Sequence, residues 1–183
     1  MQQSEYRGEN LAYLAPQSVH VDLSDVSAGG RLLMWGARTW VLGFQARADV
    51  TWRIYNGFDL HHVAIALPTL DALMSNFAAN ARRPMDYRCL QCPELSPDEL
   101  GLLNVCAACQ AGKPRLAHAI LTEVLLPAAA PISVRYAQDL ADAFADAALL
   151  IRPQDVGKAA CCAPASSGVG DTARIARLTD IGR

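Results

Sequence analysis

Four cysteines in two closely spaced pairs are the residues of this chain whose types and spacing suggest chemistry. Cys89 and Cys92 form one C-x2-C pair, and Cys106 and Cys109 form a second after thirteen intervening residues. Four thiolates at about 2.3 Å complete the tetrahedral coordination of zinc, and a two-residue gap lets paired sulfurs face one ion. The spacing therefore predicts a four-cysteine zinc site that clamps two separate stretches of the chain.

The surroundings of the second pair leave other interpretations open. Cys106 and Cys109 lie in the run "LLNVCAACQAG", which predicts the middle of a helix. A free cysteine in such a place is ordinarily a small apolar core residue, so inert thiols and a redox-active set both remain alternatives to a metal site. An iron–sulfur cluster takes the same four ligands as zinc, and zinc is preferred because the sequence shows no redox partner motif. His118, on the next predicted helix, is an alternative ligand for a Cys3His site.

A metal site also requires the chain between the two cysteine pairs to follow a path that brings all four sulfurs together. If a helix begins at Pro97, Cys106 lies about 13.5 Å along its axis, and the stretch from Cys92 to Pro97 reaches at most about 16 to 18 Å. The four thiols then meet if this stretch runs straight back along the helix. They also meet if the helix is divided near Gly101 and Asn104 caps a second helix that carries the second pair.

Hydrophobic periodicity, caps and prolines predict a mainly helical protein, an irregular bundle of five or six helices with a cysteine-containing loop. The predicted helices cover residues 31–47, 49–56, 68–83, 97–111, 114–125 and 132–151. The clearest start is "SPDE", in which Ser96 is the N-cap, Pro97 follows it, and Glu99 reaches back to the cap. A strand over residues 39–44 competes with the first helix, and Gly57 is expected to stop the second.

The composition predicts one domain with irregular ends. The chain has 183 residues, 52% of them hydrophobic, which is enough for a sizeable core. Residues 1–27 are an irregular lead-in with an edge strand possible over 19–23, and residues 28–154 form the helical domain. Residues 155–183 are predicted to be a flexible tail because they carry few large apolar side chains. Cys161 and Cys162 lie in this tail and receive no role.

Charge and hydropathy limit the classes of partner. The formal net charge of −2 gives no broad positive field, so no nucleic-acid partner is expected. The apolar runs are too short or too interrupted to span a bilayer, so no membrane partner is expected either. The N-terminus lacks the pattern of a secretory signal, which favours a cytoplasmic location with reduced or metal-bound cysteines.

The sequence shows none of the common catalytic or phosphate-binding motifs. The leading prediction is therefore a noncatalytic accessory or regulatory protein that binds another protein and uses its cysteines as a zinc clamp or a thiol staple. The alternative is a metal-dependent or thiol–disulfide oxidoreductase that uses the paired cysteines. Four aromatic residues, Trp35, Trp40, Trp52 and Tyr55, are expected in the core, with an anchoring role at an interface as the alternative.

Overall fold

The computed structural model describes residues 21–153 and the backbone of residues 172–175. This part contains six α-helices and one two-stranded sheet, which confirms the predicted mainly helical, irregular bundle. The helices are α1 (Ala28–Ala46), α2 (Thr51–Asp59), α3 (Leu67–Asn80), α4 (Pro97–Gln110), α5 (Pro114–Val124) and α6 (Ala130–Asp146). The strands are β1 (Met85–Arg88) and β2 (Thr172–Ile175), and short 3₁₀ helices cover Leu23–Asp25 and Ala64–Ala66.

Helix α4 is the central element of the bundle. Residues 98–110 are all buried or half-buried, and α1, α5, α6 and β1 pack around them. A helix with apolar residues on nearly all sides requires such a position, which explains the mostly apolar residues that follow Gly101. Helix α5 follows α4 after a short turn and packs against it.

The start of α4 is the capping box that the sequence predicts. The Ser96 hydroxyl accepts a hydrogen bond from the Glu99 amide at 3.2 Å, and the Glu99 carboxylate accepts one from the Ser96 amide at 2.8 Å. These two bonds satisfy amides that have no partner within the helix. The alternative division near Gly101 and Asn104 is wrong, because α4 continues without a break through both residues.

Helices α1 and α2 pack closely through small and aromatic residues. The competing strand over 39–44 is wrong, since all of these residues lie within α1. Gly57 does not stop α2 but lies inside it, where the ring of Trp35 from α1 occupies the space that a side chain would need. At the far end of α2, Phe58 meets Phe144 of α6 edge to face, with ring centroids 5.7 Å apart.

Two helices end earlier than the sequence predicts. Helix α3 begins at Leu67 and carries Pro68 in its first turn, as expected. It ends at Asn80, before Pro84, because Ala81 becomes extended and pairs with Leu125 in an isolated antiparallel bridge. Helix α6 ends at Asp146 and not near residue 151. The chain reverses there through Ala148, whose φ of 57° is left-handed, and the Leu149 amide donates to the Phe144 carbonyl at 2.8 Å.

The sheet joins two stretches for which no strand was predicted. Strand β1 lies in the expected cysteine-containing loop, and β2 lies in the expected flexible tail. They pair antiparallel, with Met85 opposite Ile175 and Arg88 opposite Thr172. The other residues after 153 and the lead-in up to residue 20 lie outside the described part. Of the predicted edge strand at 19–23, Asp22 makes an isolated antiparallel bridge with Glu94.

Candidate functional site

A buried guanidinium organises the loop that carries the first cysteine pair. Arg38 projects from α1, and the residue is 2% exposed. Its Nε and Nη2 donate to the two carboxylate oxygens of Glu99 at 2.7 and 3.0 Å, a bidentate ion pair. Its Nη1 donates to the carbonyls of Cys89 at 3.1 Å and Cys92 at 2.7 Å, and Nη2 also donates to the Glu94 carbonyl at 2.9 Å. The guanidinium therefore uses its full set of donors on one carboxylate and one loop.

The carboxylate of Glu99 joins the same loop to two further elements. Besides Arg38, it accepts hydrogen bonds from the amide of Ser96 at 2.8 Å and from the amide of Arg88, at the end of β1, at 3.0 Å. The side chains of Arg38 and Glu99 are 1% and 0% exposed, so both charges have lost their hydration. Such a pair persists because each charge is fully hydrogen-bonded, and it fixes α1, β1, the loop and the start of α4 relative to one another.

Cys89 and Cys92 are joined by a disulfide within this loop. Their Cα atoms are 5.3 Å apart, and the Cys92 amide donates to the Cys89 carbonyl at 3.2 Å, which forms a turn. Both cysteines are half-buried, and Gln91 between them is exposed. The structure thus brings the first predicted pair together as a covalent staple of a surface loop.

Cys106 and Cys109 have the same spacing but a different environment. They are free thiols on α4, and each is at most 1% exposed. Burial raises the pKa of the Cys106 thiol well above its usual range, and the nearby Cys109 raises it further. Burial also raises the pKa of Cys109 to about 11, with a smaller contribution from Asp142. At neutral pH both residues are protonated core thiols, which are weak nucleophiles.

This arrangement does not present a four-thiolate ligand set. Within residues 21–153, no group of three or more His, Cys, Asp or Glu side chains is placed to hold a metal ion. Two of the four predicted ligand sulfurs are bonded to each other, and the other two are protonated in the core. The four-cysteine zinc site and its variant with His118 therefore stay predictions of the sequence. Cys161 and Cys162 lie outside the described residues.

The aromatic residues divide into buried and exposed pairs. Trp40 stacks on Phe44 in α1 with ring centroids 5.2 Å apart, and Trp52 stacks on Tyr55 in α2 at 5.4 Å. Trp40 is 8% exposed, whereas Trp52 is 71% exposed. The predicted core position is confirmed for Trp40 and wrong for Trp52 and Tyr55. Helical spacing gives the reason, because α2 buries Ile54 and Phe58 and so turns Trp52 toward solvent.

A groove lies where the end of α1 meets the first turns of α2 and α3. Its volume is about 670 Å³. The apolar residues that line it are Trp40, Phe44, Val50, Ile54, Leu67 and Pro68. Arg47, Asp49 and Asp71 supply its charged groups, and the Asp71 carboxylate accepts a hydrogen bond from the Trp40 indole at 2.7 Å. We call this feature, together with the adjoining Trp52–Tyr55 pair, the aromatic groove.

Comparison of the chain with protein-family models, curated proteins and solved structures finds no match. Function is therefore argued from the geometry and chemistry of these sites. None of the helices within residues 21–153 has both the length and the apolar character required to cross a bilayer.

Proposed function

We propose that this chain is a noncatalytic helical module that binds another protein through the aromatic groove. The observation that carries the proposal is the Trp52–Tyr55 stack, in which a large indole is 71% exposed on a well-formed helix. Trp and Tyr are the residues most often found at the energetic centres of protein interfaces. Stacking holds both rings in place, so little side-chain freedom is lost when a partner covers them.

The exposed pair and the groove form one continuous surface. Thr51 and Ile54 line the groove, and Tyr55 follows Thr51 by one helical turn on the same side of α2. Past the end of α2, Leu60 and Ile65 are each 80% exposed. Ile65 belongs to the 3₁₀ helix that packs against α2.

The charged groups of the groove indicate the chemistry of the partner. Asp71 uses one carboxylate oxygen to accept from Trp40, and a carboxylate has capacity for further donors. Asp49 contributes a second carboxylate, against the single guanidinium of Arg47. The expected occupant is an amphipathic helix of another protein, with a bulky apolar side chain that enters the groove and a lysine or arginine beside it. The Cys89–Cys92 disulfide does not line the groove and takes no part in this binding.

A random peptide library displayed on phage provides the probe. Selection on the wild-type protein, with counter-selection on Trp52→Ala, should enrich peptides that place a bulky apolar residue near a basic one. Covering the exposed 71% of an indole buries on the order of 140 Å², which contributes at most about 3.5 kcal/mol. This upper limit corresponds to a few hundredfold in affinity, so Trp52→Ala should weaken binding of the selected peptide by between about tenfold and a few hundredfold, as measured by calorimetry.

Two further variants test the specificity of this binding. Asp71→Asn should weaken peptides that carry the basic residue and leave their norleucine analogues unaffected. Leu116→Ala, at a half-exposed leucine on α5, should leave binding unchanged. Equal affinity of the peptides for wild type and Trp52→Ala would refute the proposal. Concentration-dependent dimerisation that Trp52→Ala abolishes would replace the foreign partner with a second copy of this chain.

A further inference from the structure

We propose that Cys89 and Cys92 form a thiol–disulfide exchange site that accepts two electrons from a dithiol, a function separate from binding at the aromatic groove. The proposal rests on three observations: the exposure of the loop, the bonds that hold it without help from the sulfurs, and the small size of the covalent ring. Each distinguishes this pair from an ordinary structural disulfide.

The disulfide is placed where a reductant can reach it. Both cysteines are half-buried and flank the exposed Gln91, so the sulfur–sulfur bond lies in a surface turn. The second C-x2-C pair provides an internal comparison, because Cys106 and Cys109 have the same spacing but are at most 1% exposed. One pair is therefore accessible to exchange and the other is shielded from it.

The loop keeps its shape through bonds that do not involve sulfur. Arg38 binds the carbonyls of Cys89 and Cys92, and the Cys92 amide donates to the Cys89 carbonyl. The loop is also anchored beyond the second cysteine, where the Leu23 amide donates to the Pro93 carbonyl at 2.6 Å. Reduction therefore leaves the two thiols close together, and closure of the ring is an intramolecular step with a high effective concentration.

The covalent ring itself constrains the chain little. The two cysteines are separated by three positions in sequence, and a cross-link restricts the unfolded chain more when it closes a longer loop. A disulfide that joined distant elements would be difficult to open without loss of the fold. Here opening and closing leave the contacts of α1, α4 and β1 with the loop intact, so the fold supports both redox states.

The exchange proceeds in two balanced steps. A thiolate of the external dithiol attacks one sulfur, the Cys89–Cys92 bond breaks, and a mixed disulfide forms while the other cysteine leaves as a thiolate. That thiolate takes up a proton, and the second thiol of the reductant then attacks its own sulfur in the mixed disulfide and releases the remaining cysteine. The protein gains two electrons and two protons, and the reductant becomes a cyclic disulfide. Arg38 acts here as a positioning residue.

Thiol counting with dithiothreitol as the dithiol tests the site. The protein carries Cys161→Ser and Cys162→Ser, so that the remaining thiols are the two C-x2-C pairs. Intact-mass analysis after iodoacetamide treatment should show no modified cysteine before reduction and two after reduction of the folded protein. Peptide mapping should place both at Cys89 and Cys92, with an unchanged far-UV circular dichroism spectrum, and oxidised dithiothreitol should restore the first state.

Three outcomes would overturn the proposal. Resistance of the bond until denaturant is added would show a buried structural disulfide. Modification of four cysteines together would show that reduction opens the core. Two reactive thiols before any reductant is added, with no gain afterwards, would show that the bond does not form.

A separate measurement tests whether Arg38 holds the two cysteines in position for disulfide formation. The equilibrium between disulfide and dithiol is measured in dithiothreitol buffers for the folded protein and in concentrated denaturant. Because Arg38 holds the two sulfurs near each other in the folded protein, the native equilibrium should favour the disulfide by at least about tenfold more than the unfolded one. Arg38→Lys, which keeps the charge but not the forked donors, should remove much of this advantage while circular dichroism shows a retained fold. Equal constants in native and denaturing buffers would contradict the role. Neither measurement involves peptide binding, so the two proposals fail independently.

Discussion

Glu99→Gln removes one charge from the interior while keeping the shape of the side chain. The guanidinium of Arg38 then stays buried without a counterion, since the two side chains are 1% and 0% exposed. The glutamine amide also replaces one carboxylate oxygen by a donor, so the Ser96 or the Arg88 amide loses its acceptor. Removal of one partner of a buried, fully hydrogen-bonded pair costs about 3–5 kcal/mol. We expect a loss at the upper end of that range.

Urea denaturation followed by far-UV circular dichroism measures this loss. For a slope of about 1–3 kcal/mol per molar, the expected change lowers the unfolding midpoint by more than about 1 M. Glu123→Gln is the matched control, because Glu123 is an exposed residue of α5 and its substitution should change stability by less than about 0.5 kcal/mol.

The paired substitution Arg38→Met with Glu99→Leu tests whether the loss in Glu99→Gln comes from leaving the Arg38 charge buried without a counterion. Because it removes both buried charges together, the double variant should lose less stability than the sum of the losses of Arg38→Met and Glu99→Leu alone, even though the backbone amides and carbonyls bound to these side chains lose their partners. The reasoning is refuted if Glu99→Gln lowers the free energy of unfolding by less than about 1 kcal/mol. It is also refuted if the double variant loses as much stability as Arg38→Met and Glu99→Leu lose in sum.

Two further predictions concern packing and pH. Gly57→Ala should destabilise the protein by about 1–3 kcal/mol, because its new methyl group meets the ring of Trp35, whereas Gly101→Ala should stabilise it by about 0.5–1 kcal/mol, since open space surrounds that position. Urea midpoints test this pair, and a gain from both substitutions would contradict it. Stability should also fall as the pH rises above 9.0, because burial raises the folded-state pKa of Cys106 and of Cys109, the latter to about 11, so the unfolded chain releases these protons first. Below that pH the two thiols do not make stability depend on pH. A urea unfolding midpoint that is constant from pH 8 to 11 would contradict the predicted loss of stability.

The candidate site could be predicted from the sequence only in part. The spacing of Cys89, Cys92, Cys106 and Cys109 identified residues of chemical interest, but it grouped as one set two pairs that lie in different environments. The backbone decides the difference, because one pair lies in a surface turn and the other lies inside a buried helix. Arg38 was not singled out, although a lone arginine within the apolar run "LLMWGARTWVLGF" was a signal that it required a buried partner.

The sequence by itself determined the features that depend on residues a few positions apart. Ser96 and Glu99 specify the start of α4, and Pro68 marks the start of α3, because caps and prolines act within one helical turn. Hydrophobic spacing likewise determined the helical class. Caps, prolines and hydrophobic spacing can be recognised without knowledge of the rest of the chain.

Tertiary structure alone decided the contacts between distant segments. The carboxylate of Glu99 caps its own helix, but its role as the counterion of Arg38 joins residues 61 positions apart. The pairing of Met85 with Ile175 and the outward direction of Trp52 are of the same kind. Their physical reason is that burial and pairing energies depend on which surfaces meet after the chain has folded, and no short window of sequence contains both partners.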